Sequence, residues 1–162
     1  MTTTTGTTTD TATDATMDTA AARIAAATAA VVRLFDGCLR SLDDRGAFDG
    51  TWAAAFFTED ATASTPAGDV RGREAVAANV RGAMGLFDRT VHVGSDYLVD
   101  VDGDRATLRG DQLSVHVLAG DGGLFVSGGR AENEFVRTAG GRRLSRADPR
   151  VAWTRGNPPV LP

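Results

Sequence analysis

The chain has 162 residues, a formal net charge of −4, and 17 basic groups spread along its length. That length accommodates one domain with one substantial core, and the dispersed charge argues against a nucleic-acid partner, which selects a clustered basic face. Every basic residue is Arg, so Schiff-base chemistry on Lys is excluded, and the lone Cys38 excludes an intrachain disulfide or a Cys-cluster metal site.

Residues 1–18 are mostly Thr with some Asp and Ala and contain no apolar run. Little burial is available there to offset the entropy of ordering, so a disordered tail is expected, neither leader nor anchor. No stretch approaches the roughly eighteen apolar residues of a membrane span, so a soluble, cytoplasmic protein is expected. From Thr19 to Leu42 the residues Ile24, Val31, Phe35, Cys38, Leu39 and Leu42 recur every three or four positions, the face of an amphipathic helix. Cys38 lies on that stripe and reads as a small buried hydrophobe. The stripe ends at Asp43-Asp44-Arg45-Gly46. Asp49 offers an N-cap to a short helix carrying Trp52, Phe56 and Phe57, ended by Thr58-Glu59-Asp60. A short strand over Ala61–Thr65 and a helix over Arg73–Phe87, with Val76, Val80, Met84 and Phe87 at helical spacing, follow.

Beyond Asp88 the period becomes alternating. Thr90–Val101 and Arg105–Leu118 read as strands joined by an Asp102-Gly103 turn, a strong hairpin signal. Leu124–Thr138 is a third strand, Arg142–Ala147 a fourth, and Val151 with Trp153 a final extended piece. Helices first and an antiparallel meander afterwards make an α+β plan, with helices packed on a curved sheet in a cone.

The only two histidines, His92 and His116, fall on the two arms of this hairpin. Imidazoles with a nearby carboxylate are the usual means of moving protons near neutral pH. Asp43, four residues after Leu39, continues the buried stripe, whereas Asp44 turns outward. A strict two-residue turn would set His92 opposite Leu113 and His116 opposite Arg89, on opposite faces of the sheet. A shared pocket therefore requires one extra residue, a β-bulge, for which Gly94 and Gly110 are natural places. Gly128-Gly129 lacks the strand-turn-helix context of a phosphate loop, and Asp100, Asp102 and Asp104 lack the other ligands of a calcium loop. Asp111 and Gln112 are further polar candidates.

The element order, together with His92, Asp102-Gly-Asp104, His116, Gly128-Gly-Arg130 and Trp153-Thr-Arg-Gly156, resembles the SnoaL-like branch of the nuclear transport factor 2-like superfamily, over about residues 24–157. The resemblance implies a cone-shaped α+β barrel that hosts cyclases, isomerases, hydrolases, dehydratases and non-catalytic modules, so fold alone fixes no activity. Its nearest chemical likeness is to the scytalone dehydratases. Asp43, His92 and His116 match their aspartate and two histidines, while Leu42 and, approximately, Ser64 stand where they carry carbonyl-holding tyrosines. Their third-strand asparagine corresponds loosely to Glu132 or Asn133.

These readings converge on a proton-transfer enzyme (dehydratase, cyclase or isomerase) needing no cofactor and no metal. It would act on a small hydroxy-carbonyl or polyketide-type intermediate of secondary metabolism. His92 would be the base and acid, Asp43 its partner, and His116 a substrate-oxygen holder or relay. Tyr97, Glu132, Asn133, Trp52, Phe56 and Met84 are the candidate substrate-binding residues. The alternatives are an aldol-type cyclase using one carboxylate, and a non-catalytic ligand-binding or assembly module. No nucleic-acid or membrane partner is expected, and the resemblance implies a homodimer, with a trimer as the alternative.

Overall fold

The computed structural model describes residues 9–65, 68–120 and 122–159. Its elements are α1 (Thr9–Asp43), α2 (Gly50–Phe56), β1 (Phe57–Thr65), β2 (Gly68–Arg71), α3 (Arg73–Met84), β3 (Phe87–Asp102), β4 (Arg105–Leu118), β5 (Leu124–Thr138) and β6 (Gly141–Arg155). The six strands form one sheet of order β2-β1-β6-β5-β4-β3. It is mixed because β1 and β6 run parallel while the other neighbours are antiparallel. Three helices pack on this open, curved sheet, the α+β cone expected from the element order.

Helix α1 starts at Thr9, ahead of the expected Thr19, and residues 1–8 of the expected tail lie outside the described residues. Its stripe of Val31, Phe35, Cys38 and Leu39 meets Leu108, Ala131, Phe135 and Leu144 of the sheet in one core. Burial pushes the Cys38 thiol up to about 12, so it stays protonated and inert. Asp49 caps α2 by accepting a hydrogen bond from the Trp52 amide at 3.0 Å. Phe57 to Asp60 continue straight into β1, where a helix end was expected. Gly85 caps α3, so Phe87 opens β3 instead of closing the helix. The short β2 had no alternation to announce it, and β6 runs unbroken through Pro149 where two pieces were expected. No helix among the described residues is long and apolar enough to cross a membrane.

The β3–β4 register decides what the sheet does with its histidines. Asp102 pairs with Arg105, so Gly103 (φ 54°) and Asp104 make the turn, one residue later than expected. Further along, Leu98 pairs with Arg109 but Ser95 pairs with Asp111: three steps on β3 against two on β4. The extra residue lies at Asp96-Tyr97, with Asp96 at φ 52°. Past this bulge Thr90 pairs with His116 and His92 with Ser114, so the side chains of both histidines point to the same, helix-covered face.

Gly94 and Gly110 do not hold the bulge but clear room for its tyrosine. A Cβ at Gly110 would lie 2.6 Å from Tyr97 Cδ1 and 2.8 Å from the Ser95 carbonyl oxygen, and one at Gly94 would lie 2.1 Å from Tyr97 Oη. The Tyr97 ring meets Phe35 edge-on at 5.8 Å, and its hydroxyl donates to Asp36.

Candidate active site

Asp43 is the last residue of α1, where the helix reaches the strand edge of β3. Its carboxylate takes three hydrogen bonds from one stretch of that strand. His92 Nδ1 lies 2.7 Å from Oδ1, Thr90 Oγ1 donates to Oδ1 at 2.8 Å, and the His92 amide donates to Oδ2 at 3.0 Å. Partial burial pushes the Asp43 pKa up. The donors from His92 and Thr90, with the attraction of the imidazole, outweigh it and hold the carboxyl below its ordinary value. An ionised carboxylate fixes the tautomer of its imidazole, with the proton on Nδ1 and the lone pair on Nε2.

His116 stands beside this pair, its ring centroid 5.2 Å from that of His92 and the planes 76° apart. Phe87 stacks on it at 4.3 Å and Phe125 at 5.9 Å, and its Nδ1 lies 3.3 Å from the Phe125 carbonyl oxygen. Desolvation and the neighbouring His92 push its pKa below the ordinary value, only partly offset by that carbonyl and by Asp43. It is therefore a neutral ring that donates from Nδ1 and can accept at Nε2.

The His92 side chain is 5 % exposed and that of Asp43 23 %. His116 is 7 % exposed, so the carboxylate is the open side of the cluster. A cavity of about 150 Å³, lined by Leu42, Thr90, Phe48, Met84, Arg45 and Arg81 among others, lies next to the cluster through Leu42 and Thr90, while Asp43, His92 and His116 themselves are not on its wall. An apolar cavity of about that volume in another protein holds a single benzene ring.

Of the other candidate residues, Met84 lines the cavity. Trp52 stands behind Phe48, edge-on at 5.3 Å, and donates to Ser41 Oγ at 2.9 Å, while Phe56 packs on Trp52 in the core. Tyr97 is held at the bulge by Asp36, away from the histidines, and Val99 faces Leu108. Glu132 points outward to Arg150 at 3.2 Å. Asn133 points inward, accepting the Asp148 amide at 3.2 Å. Neither meets the histidines: Asn133 lies eight residues along β5 from Phe125, roughly 26 Å at strand rise. Among the described residues, no group of three or more His, Cys, Asp or Glu side chains is arranged to hold a metal ion.

Sequence reasoning missed Thr90, Phe87, Phe125, Arg45 and Arg81. Thr90 had a signal, lying two positions before His92 and so on the same side of its strand. Phe125 and the arginines did not, since they reach the site from other elements, and Phe87, the first residue of β3, was read as the end of the preceding helix.

The fold defines the class first: this is a nuclear transport factor 2-like α+β cone. It is similar to the Kfla4162 protein from Kribbella flavida at TM-score 0.74 and 25% identity, covering 82% of this chain and 95% of that one. It is also similar to a putative scytalone dehydratase from Novosphingobium aromaticivorans (TM-score 0.73, 23% identity, 83% and 89% covered). A hexachlorocyclohexane dehydrochlorinase (LinA, type 2) aligns at TM-score 0.72 and 20% identity, with 85% and 93% covered. These last two show the fold alone. The chain belongs to the SnoaL-like domain family, whose profile matches residues 23–148. No curated protein sequence matches it.

Proposed function

We propose that this chain is a proton-transfer enzyme that needs no cofactor and eliminates water from, or isomerises, a small hydroxy-carbonyl compound of secondary metabolism. The observation that carries this reading is the 2.7 Å contact between His92 Nδ1 and Asp43 Oδ1. It leaves Nε2 as the basic atom of a buried imidazole whose positive charge, once formed, meets an ionised carboxylate. The names of two structural neighbours, a dehydratase and a dehydrochlorinase, describe eliminations, which agrees with the reading.

In the reaction, Nε2 takes a proton from the carbon beside the carbonyl, and the C–H electron pair moves to make an enolate. In an elimination the enolate re-forms its carbonyl, a carbon–carbon double bond forms, and the adjacent hydroxyl departs with the proton that His92 returns to it. His116 orients the substrate hydroxyl by accepting its hydrogen bond at Nε2, because its Nδ1 donor faces the Phe125 carbonyl. The test is turnover on a panel of one-ring β-hydroxyketones. A positioned acid/base contributes about 10²–10⁴-fold, and His92→Ala is expected to lose that much in kcat/KM. Unchanged turnover would sink the assignment. An aldol-type cyclase working through one carboxylate would also lose activity in Asp43→Asn, but would keep it in His116→Ala.

One observation favours a non-catalytic binding module: both imidazoles are almost enclosed. That reading predicts ligands recovered unaltered after long incubation.

We also infer that two copies pair through the outer face of the sheet. Val91, Val93, Leu113, Leu124 and Trp153 are all exposed on that face. A groove of about 410 Å³ runs between Val93, Leu113 and Trp153.

A further inference from the structure

The cavity beside Asp43 lacks the tyrosines that would hold a substrate carbonyl, with Leu42 on its wall in place of one. It has two guanidinium groups instead. Arg45 follows the end of α1 and donates through Nη1 to the Phe87 and Asp88 carbonyls. Arg81, in the last turn of α3, donates through Nη1 to the Phe48 carbonyl at 3.0 Å. Both residues are exposed as well as on the cavity wall, and no hydrogen bond from Nε or Nη2 of either forms among the described residues. Asp43 takes three hydrogen bonds, and the α1 and α3 end carbonyls of Arg40 and Arg81 accept from Asp44 and Gly85.

The backbone here is unusual as well. Arg45 (φ 53°) and Phe48 (φ 46°), both on the cavity wall, adopt the left-handed region that favours glycine. Position 45 is where helices commonly carry glycine, and Gly46 is one residue too late to serve. Non-glycine residues in this region cost of order 1 kcal/mol or more and gather at functional sites.

We propose that Arg45 and Arg81 hold the substrate oxygen that becomes negative when the proton is removed, replacing the absent tyrosines, and that the substrate is a single-ring ketone. This rests on the proton-transfer reading. As the C–H bond breaks toward His92, its electron pair forms C=C and the carbonyl pair shifts to oxygen, placing the new charge beside two fixed cations. Donors aimed at charge that develops during reaction are where enzymes gain most. The cavity, about 150 Å³ and open to solvent, has room for one six-membered ring.

The test is direct binding, which needs no turnover. Cyclohexane-1,3-dione, an enolate at neutral pH, and neutral cyclohexanone are titrated into the full chain and followed by ligand-observed NMR. The dione is expected to bind about tenfold more tightly. Arg81→Gln should bring the two affinities together, weakening the dione by more than cyclohexanone. Arg45→Gln should do the same; because it also removes the donor to the Phe87 and Asp88 carbonyls, a melting curve with wild-type midpoint and cooperativity is the control that the fold is kept. Equal affinity for both ligands, no binding of the dione, or a preference that survives Arg81→Gln overturns the proposal. If the preference is found but His92→Ala turns over normally, the proton-transfer reading fails and the oxyanion site stands. If His92 is essential but the preference is absent, only the guanidinium assignment fails.

Discussion

At the residue scale, the cluster is built to keep one carboxylate charged and one imidazole neutral. The types and order of Asp43, His92 and His116 were legible in the sequence, since a chain with two histidines offers little else for proton transfer near neutral pH. The aromatic enclosure of His116 was not, because Phe125 meets it only through the β4–β5 register. This enclosure has a consequence for stability. The folded pKa of His116 lies below its ordinary value near 6.5. Between those two values the unfolded chain binds more protons, so stability rises with pH there. The contribution is complete above about 6.5 and is lost as pH falls toward the folded value. Asp43 has the same sign in a lower window: its contribution is complete above its ordinary 3.8 and fades as the carboxyl protonates. Thermal melts from pH 7 downward should therefore show a falling midpoint, with a shallower slope near pH 6 in His116→Phe, which keeps the stack. An unchanged slope would show that His116 titrates alike in both states.

At the element scale, the site depends on a single inserted residue. Without the bulge at Asp96-Tyr97, the side chains of His92 and His116 would lie on opposite faces of the hairpin. The need for such an insertion followed from the sequence, because two-residue turns fix side-chain facing. Its position did not follow, since that is set by where the Tyr97 ring finds Phe35 and Asp36. The helices were legible from their 3.6-residue period, whereas β2 is too short and polar to carry one. Gly110 faces the bulge, and a Cβ there would meet the Ser95 backbone at 2.8 Å, which cannot yield as a side-chain tip could. Gly110→Ala should destabilise the fold by about 1–3 kcal/mol and lower activity with it. Chemical denaturation reads the first effect and turnover the second; wild-type stability would mean that the register survives without this glycine.

At the scale of the whole molecule, the outer face of the sheet has two halves of different chemistry. One half carries ion pairs across successive strands: Asp100–Arg109 at 3.2 Å, Asp111–Arg130 at 3.6 Å and Glu132–Arg150 at 3.2 Å. Exposed pairs of this kind add at most about 1 kcal/mol each and are satisfied without a partner. The other half, at the histidine end, presents Val91, Val93, Leu113, Leu124 and Trp153, all exposed among the described residues. Apolar patches of that kind on a folded chain mark association surfaces, and the self-paired charges beside it leave a second copy as the natural cover. Sedimentation should find a dimer for the wild type and a monomer for Leu113→Asp; a wild-type monomer would remove this part of the account.

The central claim, that His92 backed by Asp43 removes a proton from carbon, is tested most directly by solvent exchange. Cyclohexanone incubated in deuterium oxide with the protein should gain deuterium beside its carbonyl faster than in buffer alone, with the gain falling about 10²–10⁴-fold in His92→Ala and sharply in Asp43→Asn. Exchange at the buffer rate with the wild type, or at the wild-type rate with His92→Ala, would contradict it.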